Sequence, residues 1–337
     1  MFSIKRGNAK NIAKRAKNVD GVALVSAKDK NNGVNFTTMP EKNETIYKNI
    51  LTINNNGSVG CSYYHPYNFI ATSDVTILNM KEDISKYAQS FVSTLLQKFT
   101  KKYAYGYKIS NSRLKKQPIM IPIDAVGEPN WQFMEDYVKV REEKKRLLVL
   151  KYCKEQLNLC LSESAGARLR LDNIKWKAFK IEDVFEIIER GKRLTKKMQE
   201  KGNVPYISSS ALNNGVDNFI SNEKNVRRYK DALTVANSGS VASSFYHIYE
   251  YVASDHVTNL KTPNGNRESY LFISVIIKKL KEKYSFNREM ADDRIRKELI
   301  LLPASSSGKP DFLFMKHFIL QEEARLYKKI IARFGNI

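Results

Sequence analysis

The sequence predicts an α+β fold in which two pseudo-symmetric domains are separated by a pair of long antiparallel coiled-coil helices. Residues 26–78 align without a gap on residues 208–260 at a constant offset of 182, and 24 of these 53 positions are identical. Each copy begins with short β-rich runs and continues with a helical stretch, and a long segment rich in helix formers follows it. Because solenoid repeats are roughly 20 to 50 residues long, a copy of this size is a domain in its own right.

Short strands and turns are predicted for the first part of each copy. In the second copy they fall on FKIEDVFEIIERG, VPYISS, ALTVANSGSVASSFYHIYEYVAS and HVTNLKT. Apolar residues at spacings of three and four then predict a helix in SYLFISVIIKKLKEKY, and likewise in SKYAQSFVSTLLQKFTKKY of the first copy. An apolar strand ending in proline closes each domain, within IMIPIDAVGEPN in the first copy and LILLPASSSGKPD in the second.

A long helix is predicted after each closing loop. The first runs from Phe133 to about Leu161, and its seam residues are Leu147, Leu150, Cys153, Leu157 and Cys160. The second begins near Phe314 and carries Ile319, Leu326, Ile330 and Phe334. The predicted boundaries are residues 1–130 for the first domain, 131–165 for the central spacer helix, 172–312 for the second domain and 313–337 for the C-terminal spacer helix.

The charge balance points to a polyanionic partner. The chain has 57 Lys and Arg against 35 Asp and Glu, a formal charge of +22, and nucleic acid is the first candidate. No run approaches the roughly 18 apolar residues of a spanning helix, and the start lacks the apolar core of a signal peptide. The three cysteines follow no metal-binding spacing. We therefore expect a cytoplasmic protein with reduced, buried thiols and no membrane partner.

The order of motifs resembles that of the target-recognition domains in specificity subunits of type I and type IIB (BcgI-like) restriction-modification systems. The motifs are F-K-I-x-D-V-F-E-I-x-x-x-G, P-Y-I-S, N-N-G-V, G-S-V, F-Y, P-x-x-x-x-G-x-P-D, F-M and the long helix. The resemblance implies a non-catalytic subunit that recognises a bipartite duplex DNA target, one half-site per domain, with the paired helices as a ruler between the halves.

The same resemblance implies partners and cofactors. Methyltransferase subunits, either separate or fused to a nuclease, are expected to bind this chain, and a nuclease or translocase subunit is a further candidate partner. The methyl donor S-adenosylmethionine is expected in the partner adenine methyltransferase, and no cofactor is expected in this chain. The first copy departs from the family pattern, because it lacks the lead-in strand seen as WKAFKIEDVFEI in the second copy. Either the chain is compact by nature, or the missing piece comes from a partner or lies outside the sequence.

Cations are the first candidates for DNA contacts, since they neutralise phosphates. Both copies carry a basic cluster soon after their first glycine: Lys10, Lys14, Arg15 and Lys17 in one, and Lys192, Arg193, Lys196 and Lys197 in the other. The second copy adds Arg227, Arg228 and Lys230, where the first has Thr45, Ile46 and Lys48. Such a difference suits two domains that read different sequences. The alternative for each cluster is an ordinary solvated run of charge.

Polar side chains matched across the repeat are the second set of candidates. Asn31, Asn32, Asn213 and Asn214 either present amides to adenine edges or form turns with the glycine that follows. Asn55, Ser58, Asn237 and Ser240 lie in a polar turn between apolar strands, which either approaches phosphate or simply connects the strands. His65 and His247 are either DNA contacts or structural hydrogen-bonding residues.

Enzymatic functions lack support in the sequence. It contains no Asn-Pro-Pro-Tyr or Asp-Pro-Pro-Tyr motif for amino-methylation, no Walker sequence and no zinc-binding spacing. We therefore expect neither catalytic residues nor a metal site. The alternative function is a stand-alone basic nucleic-acid-binding scaffold, for RNA or DNA, without restriction-modification partners.

Overall fold

The computed structural model describes residues 1–10, 12–104, 106–164, 169–284 and 288–335. The chain divides into two compact units, a first unit, Met1–Leu148, and a second unit, Val149–Ile337. Both units combine sheets with helices, which confirms the α+β class and the two-domain organisation. The division falls inside the long central helix.

The first unit contains two sheets, the larger of which is covered by a helix. Its strands are β1 (Phe2–Arg6), β2 (Val22–Val25), β3 (Val34–Thr38), β4 (Ile50–Asn54), β5 (Ser62–His65), β6 (Phe69–Ala71) and β7 (Val75–Met80). Its helices are α1 (Lys86–Leu96), α2 (Asn111–Lys115) and the start of α3 (Trp131–Glu163). One sheet has the order β1-β7-β4-β5 and is antiparallel; the other has the order β3-β2-β6, with β2 and β6 parallel.

The helix α1 is fixed over the larger sheet by its apolar face. The hydroxyl of Ser85 accepts a hydrogen bond from the Ala88 amide at 3.2 Å, which caps the first turn. Val92 and Leu96, four residues apart on one face, are buried in the same cluster as Leu51 of β4. Burying each such side chain contributes about 1.5 to 3 kcal/mol of transfer free energy.

The second unit repeats this arrangement and adds to it. Its strands are β8 (Trp176–Lys180), β9 (Ile187–Arg190), β10 (Lys201–Ile207), β11 (Val216–Ile220), β12 (Arg228–Tyr229), β13 (Ala232–Ala236), β14 (Ser244–His247), β15 (Tyr251–Ala253), β16 (Val257–Lys261) and β17 (Leu299–Pro303). Its helices are α4 (Ile181–Val184), α5 (Arg267–Lys278), α6 (Asp292–Lys297) and α7 (Phe312–Gly335). The sheets have the orders β14-β13-β16-β9, β11-β10-β15-β12 and β17-β8.

The closing strand predicted for both copies forms in only one of them. In the second unit, β17 pairs antiparallel with the lead-in strand β8 along its whole length. In the first unit, the matching residues 118–122 form no strand, so the prediction was wrong there. The physical reason is that an edge segment needs a neighbouring strand to bond with, and the first unit has no counterpart of β8 among its described residues.

The two long helices begin in the same way. Asn130 and Asp311 cap α3 and α7, since their side-chain oxygens accept hydrogen bonds from the Phe133 and Phe314 amides, each at 2.9 Å. A buried methionine on the first turn then packs each helix into its own unit. With 33 residues, α3 is about 50 Å long.

Within the second unit, the end of α3 packs antiparallel against α7. Glu163 forms an ion pair with Lys316 at 2.8 Å, and the ring of Tyr152, earlier in α3, contacts that of Tyr327, later in α7. Of the predicted seam residues, Leu150, Cys153 and Cys160 are buried and Leu157 is partly buried. Pairing along the whole length of both helices remains a prediction.

Two predicted seam residues lie outside this contact. Leu147 is 53% exposed, one turn before the buried stretch of α3. Leu326 is 56% exposed, because it lies on the face of α7 away from the buried Leu320 and Ala324.

Cys61 is half-buried, and the other two cysteines are buried; all three are free thiols. In the described parts of the chain, no helix combines the length and apolar character required to cross a membrane.

Candidate nucleic-acid interface

The sheet β3-β2-β6 of the first unit and the sheet β11-β10-β15-β12 of the second, here called the small sheets, carry candidate residues at their two ends. We define the basic loops as residues 10–18 and 192–198. The Asn18 amide donates to the Thr37 carbonyl at 2.8 Å, and the Asn222 side chain donates to the Met198 carbonyl at 2.9 Å. These bonds hold each basic loop beside the C-terminal end of β3 or β11. The Asn-Asn-Gly turns precede the N-terminal ends of the same strands, roughly 15 Å away over a five-residue strand.

The basic loop of the second unit presents cations on an anchored backbone. Leu194 is buried with Tyr206 and Ile220, and the Tyr206 hydroxyl donates to the Leu194 carbonyl at 3.2 Å. The flanking side chains are exposed, and none forms an ion pair with another described residue; they are Lys192, Arg193, Lys196 and Lys197. Four uncompensated cations within six residues create a positive potential suited to a phosphate backbone.

The basic loop of the first unit differs, because its arginine points inward. The Arg15 side chain is only 4% exposed and donates from Nη1 to Glu44 Oε2 at 3.0 Å, while its Nε donates to the Lys10 carbonyl at 2.8 Å. Burial raises the pKa of the Glu44 carboxyl, but the side-chain hydrogen bonds and charge of Arg15, together with backbone hydrogen bonds at Glu41 and Lys10, outweigh it and leave that pKa below its ordinary value. Arg15 therefore stabilises the loop, and Lys10, Lys14 and Lys17 are the exposed cations.

The cations added by the second copy are mostly engaged within the protein. Arg227 lies 3.3 Å from Glu189 and donates to the Arg190 carbonyl at 2.8 Å. Arg228 pairs with Glu250 at the edge of the small sheet. Lys230 is exposed and forms no ion pair with a described residue. Of these three predicted contacts, Lys230 is thus the one whose charge is uncompensated.

The Asn-Asn-Gly segments form left-handed turns in both units. Asn31, Asn32 and Gly33 have φ angles of 51°, 52° and 76°, and the equivalent angles in the second unit are 49°, 53° and 81°. Asparagine tolerates this conformation better than most residues. Position 33 has room only for glycine, because a Cβ there would lie 2.9 Å from the Ser26 carbonyl oxygen. The side chains of Asn31, Asn32, Asn213 and Asn214 remain exposed without a hydrogen bond to any described residue.

The polar loop after β4 or β13 packs against the segment before these turns. The Ser58 amide donates to the Ala27 carbonyl, and the Ser240 amide to the Ser209 carbonyl, both at 3.0 Å. Together these segments form one surface in each unit, which we call the turn face. It comprises residues 27–32 with 56–58 in the first unit and 209–214 with 238–240 in the second.

Two of the candidate asparagines lie inside the protein. The Asn55 side chain donates to Thr76 Oγ1 at 3.1 Å, and the fully buried Asn237 side chain donates to Thr258 Oγ1 at 2.8 Å and to the Met290 carbonyl at 2.7 Å. Buried amides of this kind stabilise the loop that carries them. Asn55 and Asn237 therefore lie in the interior, where they stabilise the fold, whereas Ser58 and Ser240 are half-buried at the turn face.

The matched histidines are also interior. His65 Nε2 lies 2.9 Å from Thr52 Oγ1 and its Nδ1 lies 3.1 Å from the Tyr67 hydroxyl; His247 repeats both contacts with Thr234 and Tyr249. Burial lowers the pKa of each histidine to about 4, so both are neutral near pH 7. With no exposed surface, they bond strands together and do not reach a ligand.

Two surface cations have no match across the repeat. Lys28 and Lys30 are exposed on the turn face beside Asn31, and the Lys28 carbonyl accepts a hydrogen bond from Asn54 at 3.0 Å. Their counterparts are Ser210 and Leu212, so the sequence comparison of the two copies gave no reason to select them. Among the described residues, no group of three or more His, Cys, Asp or Glu side chains is placed to hold a metal ion.

Comparisons with known proteins identify the family and the fold. The sequence profile of the family described as "Type I restriction modification DNA specificity domain" matches residues 1–152 and 173–332. The type II restriction enzyme specificity subunit S.BcgI from Heyndrickxia coagulans is 29% identical over 338 residues, which cover 99% of this chain and 94% of that protein. The crystal structure of a type I restriction-modification S subunit from M. genitalium matches with a TM-score of 0.53 at 15% identity, covering 99% of this chain and 90% of that one. The structural likeness concerns the fold alone.

Proposed function

Because this chain belongs to the type I restriction modification DNA specificity domain family, we propose that its two units each read one half of a bipartite duplex DNA target. The chain is a non-catalytic specificity subunit of a restriction-modification system. The alternative of a stand-alone scaffold is not favoured, because the family match covers both units.

One observation supports the two-site reading most strongly. Both units present the same pair of features at the ends of the small sheet: an anchored loop with uncompensated lysines, and a turn face with two free asparagine amides. Lysines neutralise phosphates irrespective of sequence, whereas amides can bond to base edges in the major groove. We assign the basic loops to the DNA backbone and the turn faces to the bases.

The turn faces differ in the way that two half-sites require. The first unit places Lys28 and Lys30 beside its asparagines, and the second places Ser210 and Leu212 there. A lysine bonds to the acceptors of guanine, while serine donates or accepts and leucine offers only apolar contact. The two units therefore offer different sets of partners on the same backbone frame.

Partners complete the proposed function. An adenine methyltransferase subunit, separate or fused to a nuclease, would bind S-adenosylmethionine and modify the site that this chain selects, and a nuclease or translocase subunit would act on unmodified DNA. This chain's own share is to recognise and orient the duplex. Its proposed location is the cytoplasm of a prokaryotic cell.

The long helices are proposed to set the spacing of the half-sites. The antiparallel contacts between the end of α3 and α7 support such a pairing. Four residues inserted after Lys151 would lengthen α3 by about 6 Å, close to two base pairs, and would nearly preserve its apolar face. The unread gap in the methylated motif should then grow by one or two base pairs, and an unchanged gap in an active variant would exclude the spacer role.

Sequencing of methylated DNA tests the proposed function. A host would carry this chain with its methyltransferase partner, either unchanged or with Asn213→Gly and Asn214→Gly, which remove both amides and keep the left-handed turn. The matched variant carries Asn31→Gly and Asn32→Gly. Each pair should relax one half-site and leave the other intact. Motifs identical in all three strains would contradict the assignment of the turn faces, and preferential binding of structured RNA over duplex DNA would contradict the function itself.

A further inference from the structure

A third loop lies beside the turn face of each unit. It joins β6 to β7 in the first unit and β15 to β16 in the second, and we call residues 72–75 and 254–257 the linking turns. The Thr72 amide donates to the Val25 carbonyl at 3.0 Å, and the Ser254 amide to the Ile207 carbonyl at 2.9 Å. Val25 and Ile207 end the strands that lead into the two turn faces. Each linking turn therefore lies at the end of its small sheet where the turn face is.

The two linking turns are closed by the same backbone hydrogen bond. The Val75 amide donates to the Thr72 carbonyl at 3.0 Å, and the Val257 amide to the Ser254 carbonyl at 3.1 Å. A bond between the first carbonyl and the fourth amide is that of a β-turn, and it leaves the two central residues at the tip. The second central residue is Asp74 in one unit and the corresponding His256 in the other.

The backbone at these two positions is held in the same way. The Asn55 amide donates to the Asp74 carbonyl at 3.0 Å, and the Asn237 amide to the His256 carbonyl at 2.9 Å. Both side chains are nevertheless exposed. The two units thus present a carboxylate and an imidazole from one common backbone position.

One atom of each of these side chains is fixed by the polar loop beside it. Asn56 Nδ2 donates to Asp74 Oδ1 at 3.0 Å, and Ser238 Oγ lies 2.7 Å from His256 Nδ1. Asn56 and Ser238 also occupy corresponding positions. The remaining polar atoms, Asp74 Oδ2 and His256 Nε2, form no hydrogen bond with another described residue. Each unit therefore holds one polar side chain in place and leaves one of its atoms available to a ligand.

The difference between the units is confined to this exposed pair. Directly beneath it, the buried contact of Asn55 with Thr76 recurs as that of Asn237 with Thr258. A frame that stays the same while an exposed pair of side chains changes is the arrangement that two different base preferences require.

The carboxylate of Asp74 is suited to a base and not to the DNA backbone, because it would repel a phosphate. In the major groove, a carboxylate accepts a hydrogen bond from the N4 amino group of cytosine. The edge of adenine also has an amino group, but its N7 acceptor lies beside it and would repel the carboxylate. Asp74 therefore fits cytosine best.

The imidazole of His256 offers the opposite polarity. When the Ser238 hydroxyl donates to Nδ1, the neutral ring carries its proton on Nε2. An N–H donor at that atom fits the O6 and N7 acceptors of guanine. The two pairs therefore suit different bases at one equivalent position of the two half-sites.

We propose that Asp74 and His256 are specificity-determining residues, which read a cytosine in the first half-site and a guanine in the second. Asn56 and Ser238 are the positioning residues that orient them. The inference rests on the proposed function, which supplies the duplex DNA and the two half-sites.

Exchange of the two pairs tests the proposal in the complete restriction-modification complex. A host would carry the methyltransferase partner and a chain with Asn56→Ser and Asp74→His, or a chain with Ser238→Asn and His256→Asp. Sequencing of methylated DNA should show one cytosine of the first half-site replaced by guanine in the first strain. In the second strain, one guanine of the second half-site should be replaced by cytosine. The other half-site should stay the same in each strain.

Binding of short duplexes to the purified complex measures the size of the effect. Asp74→Asn should lower the preference for cytosine at one position by about tenfold or more, and adenine should become an accepted base there, because an amide bonds to both N6 and N7 of adenine. Affinity for duplexes without the target should not fall. Asp83→Asn is the matched control, since Asp83 is exposed beyond the other end of β7 and forms no ion pair with a described residue. It should leave the base preference unchanged.

The outcomes separate this inference from the proposed function. Motifs that respond to the asparagine changes in the turn faces, but not to exchange of the two pairs, would overturn the inference and leave the function intact. Equal weakening of all duplexes by Asp74→Asn, with a lower denaturation midpoint, would also overturn it, because Asp74 would then be a structural residue. A complex that does not select duplex DNA at all would contradict the proposed function, and with it the bases assigned here.

Discussion

In both units a buried histidine connects a threonine on the neighbouring strand to a tyrosine two residues later. The Nε2 to Oγ1 distance is 2.9 Å in the first unit and 3.1 Å in the second. A buried asparagine and a left-handed Asn-Asn-Gly turn are likewise repeated. The surfaces above this interior are different: one turn face carries two lysines where the other carries serine and leucine.

This contrast shows which residues the fold requires and which the function can vary. Interior polar groups must each find a partner, so a change in one requires a change in another. Exposed residues on a fixed turn have no such constraint. A duplicated domain can therefore change the bases it reads while its backbone frame stays constant.

The basic loops provide the sharpest functional contrast. The exposed cations of the second unit are Lys192, Arg193, Lys196 and Lys197. Their replacement by Ala should make the plot of log affinity against log salt less steep, by about 0.9 for each phosphate that the loop no longer neutralises. If the loop neutralises four phosphates, a fourfold rise in salt should weaken DNA binding by the unchanged chain roughly a hundredfold more than binding by the variant. Titration of duplex DNA at several salt concentrations measures this slope. A slope equal to that of the unchanged chain would assign the loop to a solvated surface.

Arg15 should behave in the opposite way, because its charge is buried against Glu44. Arg15→Met leaves that carboxylate without its partner and should lower the free energy of unfolding by about 3 to 5 kcal/mol. The salt slope of DNA binding should change little. Lys14→Met is the matched control, with little effect on unfolding and a reduced salt slope. A normal denaturation midpoint for Arg15→Met would show that the ion pair does not stabilise the loop.

The position of Arg15 shows where inference from sequence stops. The repeat singled out both basic clusters, and the structure places them on exposed loops, but the repeat could not separate Arg15 from its lysine neighbours. Its partner Glu44 lies 29 residues away, and only the folded chain brings the two together. The same holds for Asn55 and Asn237, whose similarity across the copies reflects an interior role.

The order of secondary structure was more predictable, because it follows from local periodicity. The two long helices begin within two residues of the predicted positions, at Trp131 and Phe312. The closing strand of the first unit was the exception. Its sequence has the apolar character of a strand, yet a strand also needs a neighbour, and the sequence of one segment does not reveal whether its neighbour is present.

The paired histidines predict a shared sensitivity to acid. Each has a folded-state pKa of about 4, below the ordinary value of 6.5, so the unfolded chain binds protons more strongly. The stabilisation that depends on the neutral histidines is therefore complete above pH 6.5 and is lost as the pH falls towards 4. At pH 5 the free energy of unfolding should be lower by about 2 kcal/mol per histidine. His65→Gln and His247→Gln should each reduce the loss between pH 7.5 and pH 5, measured by urea denaturation. An unaltered pH dependence in both variants would mean that these histidines do not titrate on unfolding.

An exchange of segments between the units tests the central claim most directly. Residues 10–48 include the basic loop, most of the turn face and both members of the Arg15–Glu44 pair, so they can replace residues 192–230 with that ion pair intact. Methylated DNA from a host with the exchanged chain and its methyltransferase should reveal the new motif. If the two units read separate half-sites, the asymmetric target should become nearly palindromic, with the first half-site repeated in inverted orientation. An unchanged motif from a folded, active chain would contradict the account, because these segments would then not determine the bases that are read.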